Sequence, residues 1–245
     1  MKAVLLGATK GMGRALARRM AARGDRVFLL GRDAGDLARS AADLEALGAR
    51  APVGTAVCDL LDRESLASAL DEADRALGGF DTVVVTAGLF GTQEQLEEDE
   101  ALRDRVLTAD FTNTIHFCEL ARTRMLERGG GTLCVFSSVA GDRARKPVIL
   151  YGAAKAGLTH YLAGLDAKYR DAGLRTVLVK PGFVKTGMTE GLPAPPFAGE
   201  PDQVAAVVLR AIDRGTPEVY APAIWRFVML AIRSLPRTVM RKIKF

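Results

Sequence analysis

The stretch AVLLGATKGMGRALARRMAARGDRVFLL, residues 3–30, decides how the chain folds. Residues 3–6 read as a buried strand, and Gly7, Gly11 and Gly13 punctuate the turn behind it. RALARRMAARG then carries a helical period before a second apolar run at 26–30. Strand, glycine-rich turn, helix and strand open a doubly wound sheet. Glycines in such a turn let the backbone approach a pyrophosphate at a helix N-terminus. This makes Gly7, Thr9, Lys10, Gly11, Met12 and Gly13 candidate dinucleotide contacts.

The alternation continues outward. Helices are predicted over about 33–48, 62–77, 100–128 and 151–171, with strands at 53–57, 81–85, 132–136 and 175–179. The strands are Val- and Leu-rich runs without strict alternation, the pattern of strands covered on both faces. The fold class is α/β: a single Rossmann-like doubly wound parallel sheet of at least six strands, with helices on both faces. Binding groups should gather beyond the carboxyl ends of those strands. Residues 183–200 hold three prolines between 193 and 196, so they cannot form a long helix and should cap or lid the site. A helix over 201–215 and a short strand ending at Pro222 complete a domain spanning 1–222, and 223–245 form an extension.

Composition bounds the function. The 245 residues are 49% hydrophobic and 26% charged with 25 glycines, which suits one ordinary α/β domain and excludes a disulfide scaffold, coiled coil, solenoid or disordered tail. Cys58, Cys118 and Cys134 form no CxxC pair, so free buried thiols and a reducing, cytoplasmic compartment are expected. With His116 and His160 as the only histidines, no metal site is expected. Met1–Leu6 is too short for a secretion segment, and Phe227–Ile232 falls far short of the ~20 residues that cross a bilayer. The net charge of +5 is concentrated at the C-terminus.

The chemistry-bearing residues follow. Tyr151 and Lys155, four apart, share one helical face, where an ammonium favours the phenolate. Ser138 stands just beyond a strand end, where its hydroxyl can hold a substrate oxygen. The set resembles the short-chain dehydrogenase/reductase family over about residues 1–190. GATKGMG matches that family's glycine fingerprint, Asp59 (with Leu60 beside it) the acid near the adenine, and Ala87-Gly88 the end of its NAG motif. Ser138 precedes Tyr151 by the family's thirteen residues, Tyr151 and Lys155 complete YxxxK, and Pro181-Gly182, Val184 and Thr186 match its PG segment on the cofactor's carboxamide side. The resemblance implies hydride transfer to a carbonyl. Tyr151 would donate the proton, Ser138 hold the oxygen, and Lys155 contact the nicotinamide ribose and lower the tyrosine's pKa.

Two departures matter. Thr86 stands where NAG has a mainly structural asparagine. Asp110 falls where the family's catalytic asparagine is expected, so either its carboxylate supports the lysine's water or Asn113, one helical turn later, takes over. No carboxylate fills the Gly31 slot, where an NAD enzyme commonly has one, and Arg32 and Lys10 offer positive charge for a 2′-phosphate instead. NADPH is favoured, NADH is the other nicotinamide cofactor that fits, and two merely solvated charges are the bland reading. Asp33 reads as a helix N-cap.

Residues 225–245 hold six bases and no acid. Arg226, Arg233, Arg237, Arg241 and Lys244 fall on one helical face, with Phe227, Leu230, Ala231, Ile232, Leu235, Val239 and Ile243 opposing them and Pro236 as an interruption. Such a segment either lies on an anionic membrane, here the inner face of the plasma membrane, or packs on protein in the same chain or a second subunit. No aromatic-rich basic groove suggests nucleic acid. AGLFG at 87–91, SSVAGDRARK at 137–146, VLVKPGFVKTGM at 177–188 and the ending at 220–245 resemble the keto-reductase subunits of decaprenylphosphoryl-ribose 2′-epimerase. That resemblance implies a 2-keto sugar on polyprenyl phosphate, an oxidase partner and a role in cell-wall biosynthesis. Arg143, Arg145 and Lys146 would then meet a substrate phosphate, or simply keep a loop soluble. Met188, Leu192, Pro195 and Phe197 would cap a greasy group or only pack the lid. A reductase of a soluble ketone, quinone or 3-ketoacyl thioester is the alternative, and a non-catalytic cofactor-binding regulator is a second. The family also implies a homo-oligomer formed through the two long helices.

Overall fold

In the computed structural model, which describes residues 1–49 and 52–243, the opening stretch forms β1 (Lys2–Leu6), α1 (Gly11–Arg23) and β2 (Arg26–Gly31). The alternation proceeds through α2 (Ala34–Ala46), β3 (Gly54–Val57), α3 (Glu64–Leu77) and β4 (Thr82–Val85). After β4 come α4 (Gln93–Glu98), α5 (Glu100–Leu107), a π-helical turn (Thr108–Thr112) and α6 (Asn113–Glu127). Then follow β5 (Gly131–Phe136), α7 (Ile149–Tyr169), β6 (Leu174–Pro181), α8 (Pro201–Arg214), β7 (Glu218–Ala221), α9 (Ile224–Ser234) and α10 (Arg237–Met240). Among the described residues, seven parallel strands form one sheet in the order β3-β2-β1-β4-β5-β6-β7.

Both faces are buried, which is why the strands show no polar alternation. Within β1, Val4 and Leu6 enter a layer with Leu66, Leu70 and Phe117, while Ala3 and Leu5 enter the opposite layer with Leu16, Met20 and Val204. Leu6 registers with Leu30 on one side and Val85 on the other, so the central strands end level. The sheet reverses its winding between β1 and β4, where a crevice opens at the carboxyl ends.

Three features depart from the expectations. The helix over 100–128 is broken, because the π turn inserts an extra residue between α5 and α6. Thr114 Oγ donates to the Ala109 carbonyl there at 2.6 Å. The short helix α4 was not foreseen, although a capping box between Thr92 and Gln95 starts it. The lid at 183–200 is irregular as expected, with one short turn at Gly187–Thr189 and one bridge, Val184 to Gly199.

The third departure lies in the tail. α9 turns Trp225, Met229 and Ile232 inward, onto Val139 and Tyr220. Phe227 and Leu230 point outward and remain 66% and 64% exposed. Ile232 therefore does not share a surface with Phe227 and Leu230, because α9 carries apolar residues on two sides and the protein body takes the Trp225 side. Pro236 does interrupt the helix, and Lys244 lies outside the described residues. No helix of the described residues is long and apolar enough to cross a membrane. Met229→Ala should cost about 2–5 kcal/mol of stability, and Leu230→Ala no more than about 0.5 kcal/mol. Urea unfolding of both variants checks which face is buried.

Candidate active site

The turn after β1, the ends of β2, β3 and β4, and the start of the lid enclose a cleft of about 510 Å³. Of the sequence candidates, Gly7, Thr9, Lys10, Gly11, Met12, Gly13, Arg32, Asp59, Leu60, Ala87, Gly88 and Thr186 line it. The cleft fits a dinucleotide. Gly7 has φ 91°, and a Cβ there would overlap the Ala87 backbone. Among the described residues no side chain caps the N-terminus of α1, which leaves its first-turn N–H groups for an anion. Thr86 Oγ donates to the carbonyls of Leu6 (3.1 Å) and Gly7 (3.0 Å), so the residue that departs from the family motif still pins the glycine turn.

The remaining cofactor candidates divide. Asp33 caps α2 by accepting from the Asp36 N–H at 2.6 Å. Lys10 pairs with Asp36 at 3.0 Å, whereas Arg32 is exposed and makes no ion pair among the described residues. Pro181, Gly182 and Val184 do not line the cleft. Pro181 lies in β6 beside Ala221, and Val184 is buried in the core. A Cβ at Gly182 would overlap the Trp225 indole, so this glycine makes room for the tail.

The catalytic candidates stand on α7 and the segments packed against it. Gln93 of α4 accepts from the N–H groups of Ile149 (2.9 Å) and Leu150 (3.1 Å), which fastens the first turn of α7. Ser137 Oγ donates to the Lys155 carbonyl at 2.9 Å and so ties the end of β5 to the same helix. Ser138 Oγ accepts from the Ala140 N–H at 3.1 Å. The edge of Phe90 meets the Tyr151 ring at 5.2 Å and 81°. Lys155 Nζ lies 5.5 Å from the Tyr151 ring centroid.

Behind Lys155 stands Asp110, placed by the π turn. Its Oδ2 is 3.2 Å from Lys155 Nζ, and its Oδ1 accepts from the Leu89 N–H at 2.6 Å. Asn113 points elsewhere: its Nδ2 donates to the Leu60 carbonyl at 2.8 Å. Burial works against the Lys155 charge, but Asp110 and Tyr151 hold its pKa above the ordinary lysine value. Burial raises the Tyr151 phenol, Lys155 and Ser138 pull it down, and Asp110 adds to the rise. Burial raises the Asp110 carboxyl too, against Lys155 and the Leu89 N–H.

The basic loop between Ser138 and Tyr151 is neither free nor merely solvated. Arg143 donates to the Leu235 carbonyl at the end of α9 (2.8 Å), and Lys146 to the Arg241 carbonyl at the end of α10 (2.7 Å). Cations suit these positions because helix C-termini carry unpaired carbonyls and partial negative charge. Arg145 has a buried Nε without a hydrogen bond among the described residues, and burial lowers its guanidinium pKa. Beneath the loop, buried Lys180 pairs with Asp142 (2.8 Å) and Glu218 (2.8 Å), and the Tyr220 hydroxyl donates to Asp142 at 2.8 Å. Gln93, Phe90, Lys180 and Asp142 were not read as site residues from sequence. Phe90, Asp142 and Lys180 lie inside the matched stretches and Gln93 outside them, but their contacts come from tertiary packing.

A family model described as short chain dehydrogenase matches residues 1–195. An uncharacterized oxidoreductase of Mycobacterium tuberculosis is 36% identical over 239 residues, covering 98% of this chain and 95% of its own. One from Streptomyces coelicolor is 37% identical over 243 residues, covering 98% and 94%. The structure of levodione reductase is similar at TM-score 0.80 and 25% identity, covering 89% of this chain and 94% of that one. The chain belongs to the short-chain dehydrogenase family. It is an NAD(P)-dependent oxidoreductase.

Gln93→Leu removes the acceptor for two helix-start N–H groups. The loss should cost about 0.5–2 kcal/mol of stability. It should also lower turnover, through displacement of Tyr151, while cofactor affinity stays unchanged. Urea unfolding and NADPH titration check the two halves.

Proposed function

We propose that this chain is an NADPH-preferring carbonyl reductase. The observation that carries the reading is the convergence on α7: Tyr151 between the Phe90 edge and the Lys155 charge, with Ser138 beside it. When bound, the nicotinamide dinucleotide supplies the hydride. Ser138 holds the carbonyl oxygen with its hydroxyl. Tyr151 gives that oxygen its proton as negative charge develops there, and Lys155 steadies the phenolate left behind. Arg32 supports the NADPH preference, because it lies at the cleft with no carboxylate partner among the described residues.

The substrate we favour is a carbonyl carried on an amphipathic anion. The 2-keto sugar on polyprenyl phosphate, made by an oxidase partner, is its leading member. Lid residues Met188, Leu192 and Phe197 are exposed and apolar, and Trp225 Nε1 donates to the Phe197 carbonyl at 3.3 Å, joining the lid to α9. Phe227 and Leu230 on α9 are also exposed and apolar, and residues 223–243 hold no acid. These features support peripheral contact with an anionic membrane, where apolar side chains enter the interface and bases meet lipid phosphates. Arg145 supports an anionic group on the substrate, since Arg143 and Lys146 are already taken by helix ends. We place the chain in the cytoplasm as a homo-oligomer.

Tyr151→Phe should lower carbonyl reduction roughly 100- to 10,000-fold, with NADPH binding retained; unchanged turnover would sink the catalytic assignment. Arg32→Glu should weaken NADPH binding about 10- to 100-fold, the worth of one charge-assisted contact, and leave NADH affinity near its original value. A turnover panel should separate a lipid-phosphate 2-keto pentose from simple diketones, quinones and a 3-ketoacyl thioester. The lipid-linked sugar is expected to lead; activity on the soluble carbonyls alone discards it. Sedimentation with phosphatidylglycerol vesicles should carry the protein down at low salt and release it at high salt. Phe227→Glu with Leu230→Glu should abolish that binding. Equal recovery with neutral vesicles would instead leave the ridge to a second subunit.

A further inference from the structure

We infer that Asp110 is a positioning residue that keeps Tyr151 in its protonated, donor form: its carboxylate neutralises the Lys155 ammonium, and this biases the site toward reducing a carbonyl rather than oxidising an alcohol. The directional part of this inference rests on the reductase reading above. The charge relation between the three residues does not.

The geometry is that of an enclosed pair. Asp110 is fully buried, Lys155 is 4% exposed, and their charged atoms are 3.2 Å apart. The Leu89 N–H holds Oδ1 at 2.6 Å, while Oδ2 faces Lys155. The strand-end backbone closes over both groups. A Cβ at Gly88 would sit 3.0 Å from Asp110 Oδ1 and 3.4 Å from Lys155 Nζ. In such low-dielectric surroundings a unit charge acts strongly on its neighbours. An unpaired ammonium beside Tyr151 would pull the phenol toward phenolate. With a carboxylate on its far side, the ammonium offers the phenol only the weaker field of a pair.

Among the described residues, the charged and titratable groups that face Tyr151 are Lys155 from α7 and Asp110 from the π turn, with the Ser138 hydroxyl from the loop after β5. Lys155 in turn meets Asp110 and Tyr151. No other ionisable side chain among the described residues pairs with this cluster within 4.0 Å.

The sign of the effect follows. Reduction needs the protonated phenol, so its rate holds at low pH and falls as pH rises through the Tyr151 pKa. Oxidation needs the phenolate and rises through the same pKa. Removing the carboxylate frees the full Lys155 charge to act on the phenol, and both limbs should move to lower pH.

The experiment titrates Tyr151 directly by the near-ultraviolet absorbance of tyrosinate. It uses the full chain and its Asp110→Asn variant, each corrected with the matching Tyr151→Phe background. Tyr151 should ionise about 1 pH unit lower, or more, in Asp110→Asn, the size of shift that one close charge produces. Asp110→Glu, which keeps the charge, should titrate as the parent does. If Asp110→Asn fails to fold, Asp110→Ser carries the same expectation. An unmoved or upward titration overturns the inference. The pH profile of diketone reduction by NADPH, measured on the same variants, should move with the titration. A downward titration in a protein that turns over no carbonyl would defeat the reductase reading and leave the charge relation standing. Carbonyl turnover with an unmoved titration would defeat this inference alone.

Discussion

Parallel pairing sends every strand's carboxyl end to one edge of the sheet, and the working parts of this molecule all depend on that. The glycine turn, Arg32, Asp59, Ala87-Gly88, Ser138 and Thr186 come from six different strand ends, yet they stand along a single rim. Level endings of β1, β2 and β4 make the rim flat enough for an extended dinucleotide. The Thr86 hydroxyl, reaching from the end of β4 to the carbonyls of Leu6 and Gly7, fixes the two sides of the crevice to each other.

On that rim the side chains are held by buried charge. An ammonium taken out of water is costly unless a partner and good geometry offset the loss. Lys155 finds Asp110, and Lys180 finds Asp142 and Glu218. Asp110 and Asp142 come from segments outside the strands and α-helices, the π turn and the loop after Ser138, while Glu218 stands at the start of β7. Displacing the π turn would leave the buried Lys155 charge without its carboxylate. The Asp110 contact also ties the π turn to α7 through Lys155.

The C-terminal segment packs onto the domain rather than hanging from it. Trp225 occupies the space left by Gly182 and holds the lid through the Phe197 carbonyl. The ends of α9 and α10 receive Arg143 and Lys146 from the loop between Ser138 and Tyr151. Lid, substrate-side loop and tail thus meet at α9, whose outer Phe227 and Leu230 face solvent.

The sequence by itself determined the doubly wound class, the glycine turn and the placing of Tyr151 and Lys155 on one helix, because these depend on local order. An apolar run reads as a strand wherever it lies, glycines confer backbone freedom in place, and residues four apart on a helix share a face. It also marked Asp33 as a cap, which needs only its own helix. Choosing between Asp110 and Asn113 required the tertiary structure, since one inserted residue in a π turn rotates everything beyond it by about 100° (3.6 residues per turn). The inward face of α9 was undecided for a related reason: apolar residues lie on two sides of it, and only the pocket formed by Val139, Tyr220 and Gly182 selects Trp225, Met229 and Ile232. Nor could any spacing show that Arg143 and Lys146 serve helix ends. Their partners are backbone carbonyls, which every residue possesses, and folding alone determines which of them come within reach.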